Sequence, residues 1–358
     1  MDTVSETKEK RGCCLCGGSF SSVQKDETMQ KKPLIILTGP TAVGKTSLSV
    51  QLAAAVGGEI VSADSMQVYR HMDIGSAKIR PEEMQGIRHH LLDVLEPWES
   101  FHVVRFQQMA RAACDGIRQR GRIPIVTGGT GFYIQALLYD IDFTENDEDK
   151  AYRSELEQVA KAQGGEVLHE RLRQIDPVSA EAIHAHNVRR VIRALEFYEK
   201  TGTPISLHNE EQHRRESPYR FAYFVLSRER GALYERIDRR VDQMIGDGLV
   251  KEVQSLKAMG ISRQMPAMQG LGYKEISDYL DGAIPLSEAV YRIKRDTRHF
   301  AKRQMTWFRR EKDVTFVSLD NREEKEVLSE LLGYLQERKI TGSGDFAESG
   351  GTIWRSTK

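Results

Sequence analysis

An α/β fold is predicted: a P-loop parallel sheet flanked by helices, with a mostly helical insertion domain and a helical C-terminal part. Three observations carry it. Short apolar runs recur at 34–38, 59–63, 90–94, 123–127, 221–226 and 315–319, most of them separated by helix-length segments, and such alternation builds parallel sheets covered on both faces. The first run breaks into Gly39-Pro40-Thr41-Ala42-Val43-Gly44-Lys45-Thr46, a pattern that cradles phosphates between a strand and a helix. Between 142 and 217 the alternation stops, and helical patterns follow one another with no strand signal.

In chain order, residues 1–30 are polar and rich in Ser, Gly, Lys and Glu, a composition that predicts disorder. Residues 31–141 and 218–340 are assigned to the P-loop catalytic core, and 142–217 to the insertion. The acidic run that begins at Asp142 is expected to be a linker, followed by helices at 152–163, 166–174 and 188–200, and Pro218 marks the return to the sheet. Ser227 is expected to cap a helix whose Leu233, Ile237, Val241 and Ile245 fall on one face at spacing four. A second long helix is expected after Ser287, with Val290, Ile293, Phe300 and Phe308 on its inner side. Residues 341–358 are Gly- and Ser-rich and are expected to be a disordered tail.

Composition narrows the partners. With 358 residues and 39% hydrophobic content, the chain can hold one large or two modest domains. Its 52 basic and 52 acidic residues cancel, so a nucleic acid would have to be met by local patches. No apolar run approaches the ~20 residues of a membrane span, and the head lacks the apolar core of a signal peptide; a cytoplasmic protein is expected. Cys13, Cys14 and Cys16 crowd the head without a second ligand pair at zinc-finger spacing, and Cys114 reads as a core thiol.

Strand ends carry the candidate chemistry, because ligands of open parallel sheets bind at the carboxyl edge. In the P-loop, backbone N–H groups curl round a phosphate chain, Lys45 reaches the outer phosphates, and Thr46 would place its hydroxyl on Mg2+. Asp64 ends the second run and can be a general base, a ligand to Mg2+ through water, or a helix N-cap. Gly128-Gly129-Thr130 follows the fourth run; it allows close backbone approach to a ligand, or is a plain strand-to-helix turn with a Thr cap. Arg236, Arg239 and Arg240 offer planar forks for a pyrophosphate. Gln269-Gly270-Leu271-Gly272-Tyr273-Lys274 could present its backbone to a ligand or be a simple loop. Two basic patches remain: Arg189, Arg190 and Arg193 on the insertion, and residues 292–312, with nine basic against two acidic side chains, including Arg295, Arg298 and Lys302. Each could grip phosphates or be a solvated helix face.

Taken together, the motif at 39–46, Asp64-Ser65-Met66-Gln67-Val68-Tyr69-Arg70, the segments 72–78, 89–93, 128–133, 190–196 and 269–275, and Lys302-Arg303-Gln304-Met305-Thr306-Trp307-Phe308 resemble one family, the tRNA dimethylallyltransferases, also called tRNA isopentenyltransferases. The absence of cysteines near the C-terminus is similar to the bacterial type. The resemblance implies transfer of a dimethylallyl group from its diphosphate to N6 of the adenosine 3′ of a tRNA anticodon, with Mg2+ as cofactor. It further implies that Gly39 to Thr46 and Arg240 hold the dimethylallyl diphosphate, that Asp64 is the base, and that Thr130 lies near the bridging oxygen. Ser65, Met66 and Gln67 would line the adenine pocket. The anticodon stem-loop would be gripped by Arg189, Arg190, Arg193, the 269–274 loop, Arg295, Arg298 and Lys302, on a protein expected to be a monomer.

Overall fold

The computed structural model describes residues 31–143 and 150–341. The Cys-rich head, most of the acidic linker and the tail after Thr341 lie outside the described residues. Six parallel strands form one sheet in the order β3-β2-β4-β1-β5-β6: β1 Lys32–Thr38, β2 Gly58–Ala63, β3 His89–His90, β4 Ile123–Gly128, β5 Tyr219–Ser227 and β6 Val314–Ser318. The central strands carry continuous buried apolar runs, 34–37 in β1 and 222–226 in β5, because both of their faces are covered. Leu34 and Ile36 pack with helices α2 (Val103–Gln119) and α3 (Gly131–Leu138), whereas Ile35 and Leu37 pack on the other face with α1 (Lys45–Val56) and a C-terminal helix, Glu324–Glu337.

Of the run expected at 90–94 only His90 is in a strand, the two-residue β3, because Leu91 and Asp93 adopt positive φ (63° and 51°), which ends the extended backbone. β3 is nevertheless anchored: the buried Glu59 of β2 meets His90 Nε2 at 2.7 Å and takes a two-point contact from Arg120. That arginine, ahead of the cost of burial, holds the Glu59 carboxyl down at about 2. Cys114 is fully buried on α2, and burial pushes its thiol up to about 12.

Residues 150–214 form five helices, Lys150–Gln163, Gly165–Ile175, Pro177–Ala182, α4 (Val188–Thr201) and α5 (Ile205–Arg214), around their own apolar cluster of Leu156, Leu168, Leu172, Val191, Ile192 and Leu195. The third and fifth are too short for a helical period to show in sequence. Their order is set instead by Asp176, whose two carboxylate oxygens accept from Ser179 N and Ser206 N, each at 3.0 Å.

After β5 come α6 (Arg230–Asp247), α7 (Leu249–Ala258), α8 (Tyr273–Leu280) and α9 (Leu286–Phe308). The expected Ser227 cap is corrected to Glu229, whose carboxylate accepts from Ala232 N at 3.0 Å; Ser227 remains in β5. Leu233, Ile237 and Val241 are buried as their spacing requires. The helices α7 to α9 share a separate apolar cluster with Val68, Tyr69, Met72 and Leu95. This cluster fastens the irregular stretch between β2 and β3.

Candidate active site

Register puts the candidate residues on one edge. Thr38 and Ala63 are both level with Gly128, so the P-loop, Asp64 and the Gly129-Thr130 turn leave three adjacent strands side by side. Thr38 Oγ1 donates to Gly128 O at 2.6 Å, and Thr130 N donates to Ala63 O at 3.3 Å, tying the strand ends together.

The P-loop is stapled from behind. Gly39 has φ 146°, and a Cβ there would lie 2.5 Å from Leu226 O, so only glycine fits. Arg236 Nε donates to Ala42 O at 2.9 Å, Arg228 Nε donates to Val43 O at 2.9 Å, and Gln304 Oε1 accepts from Thr41 N at 2.9 Å. Arg236, expected to fork a pyrophosphate, therefore also shapes the loop. Lys45 closes over the loop, with Nζ donating to Gly39 O (3.0 Å) and Pro40 O (2.8 Å). Burial, reinforced by Arg240 and opposed by Asp64, pulls its ammonium down to about 7. Thr46 is exposed on the first turn of α1.

No helix follows Asp64, so the expected helix N-cap is corrected to a turn cap, made by one of its two oxygens. Oδ1 accepts from Met66 N (2.8 Å) and Gln67 N (3.4 Å), building the turn. Oδ2 has no hydrogen-bond partner among the described residues. Its charge reaches both Lys45 and Arg240, raising the pKa of each. Arg240, half-buried on α6, makes no hydrogen bond or ion pair among the described residues, and burial lowers its pKa below the ordinary arginine value. Thr130 stands at the N-cap position of α3, yet its side chain makes no capping bond. The hydroxyl cap that the sequence allows is thus not formed, and the hydroxyl has no hydrogen-bond partner among the described residues.

The recognition residues divide. Ser65 and Met66 are half-buried beside Asp64, and Met66 Cε lies where a Cβ on Gly270 would come within 2.5 Å, so the 269–274 loop packs against this turn. Gln67 spends its amide inward: Nε2 donates to Ser76 O and Ala77 O (3.3 Å each), and Oε1 accepts from Ser62 Oγ at 3.2 Å. Tyr273 is fully buried, and its hydroxyl donates to Glu252 at 2.8 Å; it supports the loop instead of reaching the surface expected for a tRNA contact. Gln269 is exposed and Lys274 pairs with Glu275 at 3.3 Å, while Gly272 takes φ 93° to open α8. Arg298 is likewise committed, gripping Asp238 with one nitrogen at 2.9 and 2.7 Å. Arg295 pairs with its neighbour Asp296, whereas Lys302, Arg189 and Arg190 are exposed. Arg193 faces a cleft of about 1720 Å³ between α3 and helices α4 and α5, which Phe132, Phe143 and Phe197 also line. Burial pushes Glu311 in the same cleft up to about 7.

Gln304, Arg228 and Glu252 shape the site without having been singled out for it in the sequence. Gln304 falls inside the quoted 302–308 motif, and Arg228 follows a strand end directly; both positions were signals. Among the described residues, no group of His, Cys, Asp and Glu could hold a metal by itself, and no helix is long and apolar enough to cross a membrane.

A P-loop and a carboxylate at the ends of neighbouring parallel strands, with Lys45 and Arg240 beside them, define a P-loop α/β protein. The family model described as IPP transferase matches residues 67–311, and one described as isopentenyl transferase matches 32–96. The tRNA dimethylallyltransferase of Lachnoclostridium phytofermentans is 59% identical over 310 residues, covering 86% of this chain and 99% of that one. That of Carboxydothermus hydrogenoformans is 52% identical over 278 residues, covering 78% and 89%. Among solved structures, the full-length tRNA isopentenylpyrophosphate transferase of Bacillus halodurans is 44% identical with a TM-score of 0.66 (86% and 98% covered). A eukaryotic dimethylallyltransferase acting on tRNA is 28% identical with a TM-score of 0.72 (86% and 80% covered). The chain belongs to the tRNA dimethylallyltransferase family.

Proposed function

We infer that this protein transfers a dimethylallyl group from dimethylallyl diphosphate to N6 of the adenosine 3′ of the anticodon in tRNA, acting as a cytoplasmic monomer. The observation that carries the reading is Asp64: one carboxylate oxygen builds its turn and the other has no partner among the described residues, next to Lys45 and Arg240. As N6 bonds to C1 of the dimethylallyl group, the C1–O bond breaks and diphosphate leaves, while Asp64 accepts the N6 proton. That proton matters because the N6 lone pair is delocalised into the ring, making it a weak nucleophile. Lys45, Arg240 and the loop amides meet the charge growing on the diphosphate, and the hydroxyl of Thr130 orients its bridging oxygen. The adenosine must leave its stack to reach Asp64, at a cost of a few kcal/mol offset by contacts elsewhere on the loop.

Mg2+ fits this arrangement as a shared ligand. Thr46 presents an exposed hydroxyl with no protein hydrogen bond among the described residues, beside Lys45; the other ligands would be diphosphate oxygens and water. When bound, the ion would neutralise part of the leaving group's charge.

The test is a magnesium-dependent assay with labelled dimethylallyl diphosphate, offered either an unmodified anticodon stem-loop or free AMP. Label on the stem-loop is expected, and Asp64→Ala should abolish it with stem-loop affinity nearly intact. Label on AMP alone would make this a nucleotide prenyltransferase. Label on neither, together with ATP turnover on a small acceptor, would make it a kinase.

A further inference from the structure

We propose that Gln304 is a positioning residue for the transfer, setting the spacing between the loop that holds the diphosphate and the turn that carries Thr130. The proposal deepens the function inferred above and rests on it. Gln304 is buried on α9, with 6% of its surface exposed. Its Oε1 accepts from Thr41 N at 2.9 Å, and its Nε2 donates to Gly129 O at 2.9 Å. The orientation of the amide follows from chemistry, because only this one meets an N–H with an oxygen and a carbonyl with an NH2.

Geometry makes the contact exclusive. A Cβ on Gly129 would lie 2.2 Å from Gln304 Nε2, so the turn is glycine where the amide closes in. One turn further along α9, Trp307 lies so close to Gly131 that a Cβ there would sit 2.2 Å from its ring. One turn earlier, Ala301 is buried in the core beneath the P-loop. A single helix thus spans both phosphate-facing segments, and Gln304 is the point at which it bonds to each of them. Thr41 N–H, engaged by Gln304, serves as the pin that fixes the register of the loop.

The reacting atoms need this spacing, since one loop would hold the diphosphate and the other the hydroxyl aimed at its bridging oxygen. Misplacement by about 1 Å can cost ~100-fold in rate. A leucine or methionine of similar size would leave Thr41 N–H and Gly129 O unpaired and free to drift apart.

Gln304→Glu separates positioning from packing. Protonated, the new carboxyl donates to Gly129 O and accepts from Thr41 N, as the amide does. Ionised, it sets a negative charge against the Gly129 carbonyl. The expected result is a kcat close to wild type at the acid end of the range, falling to about one hundredth as pH rises through the introduced group's pKa. The KM for the stem-loop should stay within about twofold, and Gln304→Met should be slow at every pH. Stem-loop titration of each variant counts the folded, binding-competent fraction. A wild-type pH profile for Gln304→Glu, or a Gln304→Met kcat within about threefold of wild type, overturns the proposal, as does a loss accounted for wholly by a smaller competent fraction. A wild-type protein that labels no stem-loop would instead overturn the function inferred above.

Discussion

At Lys45, opposing forces set the charge state. Burial and Arg240 favour the neutral amine, Asp64 favours the ammonium, and the balance falls at about 7. An anionic diphosphate stabilises the ammonium, so its binding raises this pKa. By linkage, affinity is full below about 7 and weakens as pH rises above it, by up to about tenfold per unit, with a proton taken up on binding. Calorimetry at pH 8 in two buffers of different ionisation enthalpy should show this uptake for wild type and not for Lys45→Met, which also controls for protonation of the ligand itself. Equal heats in the two buffers for wild type would dismiss the mechanism. Asp64 divides its oxygens at the same scale: Oδ1 builds the turn, and Oδ2, with no hydrogen-bond partner among the described residues, is left for the base role proposed above.

Among the elements, the stretch between β2 and β3 depends on others for its shape. Glu252 on α7 accepts from three successive amides, Asp73 N (2.9 Å), Ile74 N (2.7 Å) and Gly75 N (3.0 Å), and from the Tyr273 hydroxyl. The carbonyls of Ser76 and Ala77 that follow then hold the Gln67 amide. Glu252→Ala should therefore lower stability by about 2 kcal/mol, the cost of leaving such donors without their charged acceptor. Urea unfolding would measure it, and a change below about 0.5 kcal/mol would mean that water replaces the carboxylate.

Over the whole molecule, charge is balanced in number and divided by place. Much of the basic run on α9 is paired: Arg292 with Glu288, Lys294 with Asp242, Arg295 with Asp296 and Arg298 with Asp238. Arg189 and Arg190 are exposed, with no pair among the described residues. Substituting both by Glu should weaken stem-loop binding and flatten its dependence on salt by about one unit of log–log slope per cation. Arg298→Ala should leave that slope alone and instead loosen the contact between α6 and α9. Binding measured from low to moderate salt would check both; an unchanged slope in the Arg189/Arg190 variant would return that face to plain solvation.

The sequence by itself determined the parts whose physics is local. The parallel sheet is legible because strands buried on both faces must be apolar throughout, and the P-loop because a backbone that wraps a phosphate needs glycines at fixed spacing. Asp64 and Thr130 are legible because they immediately follow strands. Tertiary structure alone decided the rest. The bonds from Gln304 to Thr41 and to Gly129 cross 263 and 175 positions, and no periodicity records such a contact. Tyr273 looks like a loop residue until the packing of α7 to α9 buries it, and Arg298 looks like a free cation until Asp238 is brought opposite. Which of several equivalent charges is spent inside the protein and which stays available to a partner depends on neighbours distant in the chain, and only the folded arrangement supplies them.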